Sequence, residues 1–185
     1  DPLSNITATV SPDVLAEVAR LVARMARRAV KLGLPPPTLR VLRTYPVTQI
    51  KGPCGWEDLP AGRPVADIRD GVRVVERNDV ELTGELPALA GWAIVAALAR
   101  VETDEGAAVV VRSVPGAGEL PPSFRDPLAA GDCDHCRVRR PRTVTYVLRE
   151  TGSNRAQRVG SSCLADFLRS GSAEDLIGYA EGLLA

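Results

Sequence analysis

Two stretches of the chain repeat their apolar residues at the spacing of an α-helix. The first begins after Ser11 and Pro12, a pair typical of a helix start, and it stops at Gly33, shortly before a run of prolines. The second runs from Ala173 to Leu184 behind a Ser-x-x-Asp capping pattern. The apolar positions of the first stretch share one helical face: Val14, Val18, Leu21, Val22, Met25, Ala29 and Leu32. The sequence therefore predicts a long N-terminal helix and a shorter C-terminal helix.

Between these helices the apolar residues alternate with polar ones, as they do in β-strands. Thr38–Ile50 and Val72–Thr83 are predicted strands. The segment 51–64 between them is rich in Pro and Gly and is interpreted as a connection, which contains Cys54 and Trp56. Residues 1–10 are expected to form an extended lead-in.

A further segment, Gly91–Glu102, is ambiguous. Its Ala and Leu residues favour a helix, whereas its flanking Gly and the following Val-rich run Ala107–Ser113 favour a hairpin with a turn at Thr103–Gly106. We interpret the two runs as paired strands. The whole pattern predicts an α+β fold in which the N-terminal helix packs on a mostly antiparallel sheet.

The last third of the chain combines cysteines with another hairpin pattern. The segment Cys133–Leu168 opens with a C-x-x-C pair, continues as strand, turn and strand, and ends in a short helix. Its predicted elements are strand Thr143–Arg149, a Gly-Ser-Asn turn at 152–154, strand Ala156–Val159, and a helix after Gly160 that Ser161 or Ser162 caps. This order of elements resembles a treble-clef zinc finger.

Three of the four cysteines lie in this segment, and their spacing suits one metal ion. Zn²⁺ takes four ligands and favours thiolates in structural sites. A C-x-x-C turn directs two sulfurs to one point, and residues i and i+3 share one face of a helix. The predicted zinc ligands are Cys133, Cys136, Cys163 and Asp166. His135 is the alternative fourth ligand, although it is adjacent to Cys136, and Cys54 is a more remote alternative. A disulfide between Cys133 and Cys163 is the competing interpretation.

Composition changes this picture in two respects. The formal net charge is 0, so no global charge draws the chain to nucleic acid or to a membrane. No apolar run reaches the roughly 18 residues of a membrane span, and no signal-peptide pattern is visible. We therefore expect a cytoplasmic protein that does not bind membranes, in which reducing conditions favour zinc over a disulfide.

Charge is nevertheless concentrated in the hairpin segment. Between positions 137 and 158 seven arginines stand against one acid, Glu150. The predicted nucleic-acid-binding residues are Arg137, Arg139, Arg140, Arg142, Arg149, Arg155 and Arg158. Guanidinium groups bind phosphate and stack on bases, so DNA or RNA is the expected partner. The alternative is that some of these arginines offset the thiolate charge and the others are solubilising. A second basic stripe on the N-terminal helix is interpreted as a solvated face.

The motifs of the known zinc enzymes do not fit. A zinc deaminase needs His/Cys-x-Glu upstream of Pro-Cys-x-x-Cys, and neither Cys54 nor Cys133 has that context. A treble-clef nuclease needs a catalytic His, whereas His135 is the sole histidine and lies inside the C-x-x-C pair. The chain has no Walker A loop and no G-x-G-x-x-G motif. We therefore expect no small-molecule cofactor, and a non-enzymatic role is favoured over the remaining alternative of a zinc-dependent nuclease or other enzyme.

The motifs together resemble a family of uncharacterised proteins carried by actinobacterial plasmids, phages and related mobile elements. They are KLG at Lys31–Gly33, GW at Gly91–Trp92, PG at Pro115–Gly116, CDHC at Cys133–Cys136, RxRRxR at Arg137–Arg142, TYVL at Thr145–Leu148 and VGxxCLADFL at Val159–Leu168. The resemblance covers most of the chain and implies a zinc-binding protein of DNA transfer or phage biology, with no known activity. The chain departs from the family at Arg169 and Ser170, where a Gly is expected.

The sequence thus predicts two regions within one compact unit. Residues 1–130 are the helix-plus-sheet region, and residues 131–185 are the treble-clef-like zinc module. The predicted function is nucleic-acid binding with a structural zinc ion. The alternative is an adaptor that binds a protein partner and whose zinc only stabilises the fold.

Overall fold

The computed structural model describes residues 5–62, 64, 71–138, 140, 142–153 and 155–184. The chain forms two compact units. The small unit comprises Thr7–Arg20 and Leu39–Leu82, and the large unit comprises Asp1–Ile6, Leu21–Thr38 and Thr83–Ala185. The α+β class and the antiparallel pairing are confirmed. The predicted division at residue 130 stays a prediction.

The sheet of the small unit has the strand order β1-β4-β2-β3. These strands are β1 (Ile6–Val10), β2 (Thr38–Gly52), β3 (Gly55–Asp58) and β4 (Val72–Thr83). The two long strands, β2 and β4, are confirmed. The other two are corrections, because β1 occupies the expected lead-in and β3 the expected connection. Both are short and largely exposed, so neither carries the alternation that identifies a half-buried strand.

Polar cross-strand contacts hold this small sheet together. Asp79 accepts hydrogen bonds from Thr9 at 2.7 Å and from Arg43 at 2.8 Å. These bonds lower the pKa of the Asp79 carboxyl below its usual value. At the other end of the sheet, Arg73 donates to Gln49 at 2.8 Å and lies 4.3 Å from the ring centre of Trp56.

The predicted N-terminal helix is confirmed as α1 (Pro12–Leu32). It ends at Gly33, whose φ of +70° is a left-handed conformation that glycine adopts without a steric penalty. Within the large unit α1 packs on α3 (Ala173–Leu184), the confirmed C-terminal helix. Arg28 donates to the Gly178 carbonyl at 2.7 Å. One turn further along α3, Gly182 leaves room for the side chain of Met25, which a Cβ at that position would strike.

The sheet of the large unit has the order β5-β6-β8-β9, with β7 also paired to β6. Its strands are β5 (Ala88–Leu89), β6 (Trp92–Thr103), β7 (Gly106–Ser113), β8 (Thr145–Glu150) and β9 (Ala156–Gly160). The ambiguous run is therefore a strand, as predicted, and it pairs with β7 on one side and β8 on the other. Residues 93–98 are all buried, because a central strand covered on both faces has no polar face.

The chain between β9 and α3 forms a short 3-10 turn, Ser161–Cys163, and then α2 (Leu164–Leu168). The expected serine cap is wrong, because no side-chain cap hydrogen bond is present at either start. The helix ends at Arg169, which adopts φ 49° and donates its backbone N–H to the Ala165 and Asp166 carbonyls. In the described part of the chain, no helix combines the length and the apolar character that crossing a membrane requires.

Arg169 thus occupies a position that glycine would adopt at lower cost. We predict that Arg169→Gly raises the free energy of unfolding by about 0.5–1 kcal/mol, because it relieves the left-handed conformation at the end of α2. Urea unfolding followed by circular dichroism measures the change. Arg169→Ala is the matched control and should give no such gain, since alanine keeps the Cβ. Equal stabilisation by both variants would contradict the prediction.

Candidate metal centre

Three thiol groups meet in the large unit. The sulfur atoms of Cys133, Cys136 and Cys163 all lie within 4.8 Å of one another. Cys133 is buried, the other two are half-buried, and all are free thiols. Thiolates bound to one Zn²⁺ at about 2.3 Å would lie about 3.8 Å apart in a tetrahedral arrangement. The donor set therefore fits a thiolate-preferring metal ion, and the predicted convergence of these cysteines is confirmed.

The C-x-x-C turn is closed by a bond across its own backbone. The N–H of Arg137 donates to the Cys133 carbonyl at 2.8 Å. Arg137 has φ 55°, a left-handed conformation that is unusual for a residue with a Cβ. This conformation turns the chain away immediately after Cys136. The third thiol comes from the junction between the 3-10 turn and α2, where Cys163 is the residue before Leu164.

The C-x-x-C turn, Cys133–Cys136, which we call the cysteine turn, lies along the outer edge of β9. Asp134 donates its N–H to the Arg158 carbonyl at 2.8 Å, and its carboxylate accepts the Arg158 N–H at 2.6 Å. Further along the strand, the Gly160 N–H donates to the Cys133 sulfur at 3.4 Å. The turn therefore uses backbone groups of β9 that β8 leaves unpaired. Pairing with the strand edge fixes where the two thiols of the turn stand.

Arg142 holds the turn from its other side. Its guanidinium donates to the carbonyls of Gly131 and Val138 and lies 3.6 Å from the Cys136 sulfur. Gly160 leaves room for this side chain, because a Cβ at that position would collide with the Arg142 guanidinium. The positive group beside the cluster offsets part of the negative charge that three thiolates carry.

The surroundings of Cys136 and Cys163 shift the pKa values of these two thiols in opposite directions. Hydrogen bonding from the Val138 backbone lowers the pKa of Cys136 to about 7, and the neighbouring thiols and Arg142 act in the same direction. Burial raises the pKa of Cys163 above its usual value. Cys136 therefore reaches the metal-binding thiolate form at a lower pH than Cys163 does.

The candidate fourth ligands lie outside the three-sulfur group. Asp166 is exposed on α2, and His135 is exposed on the cysteine turn. The His135 ring packs edge-on against Phe167, with 5.8 Å between ring centres. Cys54 is exposed and belongs to the small unit. Among the residues that the structure describes, the metal-ligand group contains the three cysteines alone, and the assignment of Asp166 stays a prediction.

The predicted nucleic-acid arginines divide into two groups. Arg149 donates to the carbonyls of Ala117 and Glu119, and Arg158 donates to the Ser123 carbonyl. These side chains and that of Arg142 therefore donate hydrogen bonds to carbonyl groups of loops in the same fold. The exposed members are Arg137, Arg140 and Arg155. Arg139 lies outside the described residues.

A row of rings lies beside the cysteine cluster. Phe167 contacts Trp92 edge-on at 5.0 Å between centres and also contacts His135. The guanidinium of Arg155 lies 5.8 Å from the Trp92 ring centre. We call these four residues the aromatic row. Tyr146, the aromatic residue of the hairpin, is instead buried and donates to Glu181 at 2.8 Å.

Sequence reasoning missed the residues that position the metal ligands. Asp134 lies within the C-x-x-C pair, and Gly160 lies three residues before Cys163. Their roles depend on backbone groups of β9 that are distant along the chain from the turn. An acidic residue inside a C-x-x-C turn is the one available signal, since carboxylates accept backbone N–H bonds readily.

Comparison with known proteins gives no match: no protein-family model, no curated protein and no solved structure matches the chain.

The bond between Asp134 and β9 can be tested directly. We predict that Asp134→Ala destabilises the large unit by about 0.5–1.5 kcal/mol, because it removes the exposed hydrogen bond to the Arg158 N–H, and that it weakens metal retention. Thermal unfolding and chelator competition measure the two effects. Asp134→Asn is the matched control, since its amide oxygen still accepts this bond. If Asp134→Asn loses as much stability as Asp134→Ala does, the negative charge rather than the hydrogen bond holds the turn, and the prediction is wrong.

Proposed function

We propose that this chain is a nucleic-acid-binding protein whose C-terminal module is stabilised by a structural zinc ion. The observation that carries the proposal is a three-thiol cluster with exposed arginines on one module, beside an aromatic row that also includes Trp92 of β6. The module consists of the cysteine turn, the β8–β9 hairpin and α2, an order that resembles a treble-clef finger.

The zinc assignment is supported by the donor chemistry. Three thiols converge without a disulfide, and thiolates select zinc among the common structural metals. Cys133 and Cys136 each receive hydrogen bonds, from Gly160 and from Arg142, of the kind that outer-shell partners give to metal-bound sulfur. Asp166 is the proposed fourth ligand, because it lies one helical turn beyond Cys163 and the His135 ring is packed against Phe167.

A structural role is favoured over a catalytic one. Many zinc enzymes use a side-chain general base near the ion. The sole histidine is His135, and its ring contacts Phe167 in the aromatic row. In the described part of the chain, no His, Asp or Glu has a ligand atom within the close group that the three sulfurs form.

Nucleic-acid binding is supported by the exposed groups around the cluster. Arg137 and Arg140 extend from the segment that follows Cys136 and are exposed. Arg155 is exposed above the ring of Trp92. Phosphates attract guanidinium groups, and bases stack on aromatic rings and on guanidinium planes. A single strand, whose bases are accessible, fits this combination better than a duplex does.

We propose that the chain is a cytoplasmic protein of a mobile element, because its motifs resemble those of the family described above. In that setting both a zinc-thiolate site and a nucleic-acid partner are expected. The second candidate function is an adaptor with an acidic protein partner, which the same exposed arginines would favour.

For the metal, we expect one zinc ion per chain in protein purified under reducing conditions. Cys163→Ser should lose the metal and lower the melting temperature, because the cysteine turn then loses the ion that links it to the start of α2, whereas β8 keeps its pairing with β6. Elemental analysis and circular dichroism measure these changes. Cys54→Ser is the matched control and should retain zinc and fold normally.

The fourth ligand is tested by chelator competition, in which Asp166→Ala should release zinc more readily than His135→Ala does. The reverse order would assign the position to His135. Metal-free native protein with Cys133 oxidised to Cys163 would contradict the zinc proposal altogether.

For nucleic acid, reversing the charge of Arg137, Arg140 and Arg155 to Glu should weaken single-strand binding. It should also flatten the salt dependence of binding by about 0.7 log units of affinity per log unit of salt for each phosphate that is no longer bound. Fluorescence anisotropy across a salt series measures both effects. Zinc content should not change, because none of these residues is a proposed ligand.

Arg20, Arg24 and Arg27 on α1 provide the charge-matched control, and their reversal should leave affinity nearly unchanged. A zinc-loaded wild-type protein without salt-sensitive binding to single-stranded DNA, duplex DNA or RNA would overturn the nucleic-acid proposal. It would favour the adaptor function, with the arginines facing an acidic protein.

A further inference from the structure

The outer edge of β7 presents unpaired backbone groups. In the register of the β6–β7 ladder, Ala96 lies opposite Ser113, and the Val114 N–H continues the ladder by donating to the Val95 carbonyl at 2.9 Å. Hydrogen-bonded and non-bonded pairs alternate in an antiparallel ladder. The residues of β7 that bond to β6 are therefore the even-numbered ones. Those whose N–H and C=O groups point away from β6 are Ala107, Val109, Val111 and Ser113.

No described strand pairs with this edge. Within the part of the chain that the structure describes, β7 pairs with β6 alone. Exposed edges of this kind are normally protected by Lys, Pro, a bulge or short length. β7 is 8 residues long, and the run Ala107–Val111 contains neither a charge nor a proline. Its central side chain, Val110, is 46% exposed.

We propose that a second copy of this chain pairs with that edge, so that two β7 strands run antiparallel and join the two large sheets into one. This inference is independent of the proposed function. The strand fits its own copy better than it fits an arbitrary peptide, because Val110 lies close to the middle of the unpaired groups. A two-fold axis there brings the exposed valines of both copies together at a non-hydrogen-bonded position, where cross-strand side chains are closest.

Charge favours the antiparallel arrangement. The turn before β7 carries Asp104 and Glu105, which are both exposed. A parallel pairing would bring the two acidic turns side by side, and like charges in that position repel. The antiparallel pairing separates them by the length of the strand and moves each turn toward the Arg112 end of the other copy. Arg112 already pairs with Glu181 at 3.3 Å, so the main gain is the avoided repulsion.

The paired edge buries less surface than a standard protein interface, so the dimer should depend on concentration. Sedimentation velocity of the full chain over a dilution series should show the mass of two chains at the high end and of one chain at the low end. Val110→Lys should give the mass of one chain throughout, because a lysine protects an exposed edge.

A second variant tests the backbone itself. Val109→Pro removes an N–H that points away from β6, so it should abolish the dimer while the β6–β7 ladder and the melting temperature are retained. Val109→Thr is its matched control, since it keeps the N–H and should still dimerise. A wild-type protein that has the mass of one chain at every concentration would overturn the proposal. So would a dimer that persists in folded Val110→Lys and Val109→Pro.

Discussion

The three-cysteine cluster depends on the pairing between a cysteine turn and the outer edge of β9. A short turn has no core of its own, so its two thiols need an external support before they can meet a third. Asp134 supplies that support by bonding both backbone groups of Arg158, and Gly160 completes it through the Cys133 sulfur. The hairpin that separates the cysteine pair from Cys163 along the chain thereby becomes the surface that brings them together.

Several arginines of the module stabilise the fold and are not free to bind a partner. The loop between β7 and β8 has little secondary structure, and its carbonyl groups need donors when they are covered. Arg149 and Arg158 donate to three of these carbonyls, and Arg142 does the same for the cysteine turn. Some of the arginines that make up the local excess of positive charge therefore serve as hydrogen-bond donors to the loops. The exposed remainder is the part available for phosphate.

The two long outer edges of the large sheet differ in how they are covered. The edge of β9 is covered by the cysteine turn, which bonds the backbone N–H and C=O of Arg158 and the N–H of Gly160. The edge of β7 has no described partner and carries an exposed valine in place of a protecting charge. This contrast places the cysteine cluster and the proposed dimer contact on opposite sides of the sheet, since β7 and β8 pair with opposite edges of β6.

The sequence by itself determined the elements whose signals are local. Helical spacing identified α1 and α3, and alternation and turn residues identified β2, β4 and the β6–β7 hairpin. The C-x-x-C pair and the later Cys163 identified the thiols that cluster. The sequence did not reveal β1 and β3, the role of Asp134, or the arginines that hold loops. Each of these depends on pairing with a backbone N–H or C=O group. Such groups are the same at every residue except proline, so only the tertiary structure decides which of them remain unpaired and which side chain reaches them.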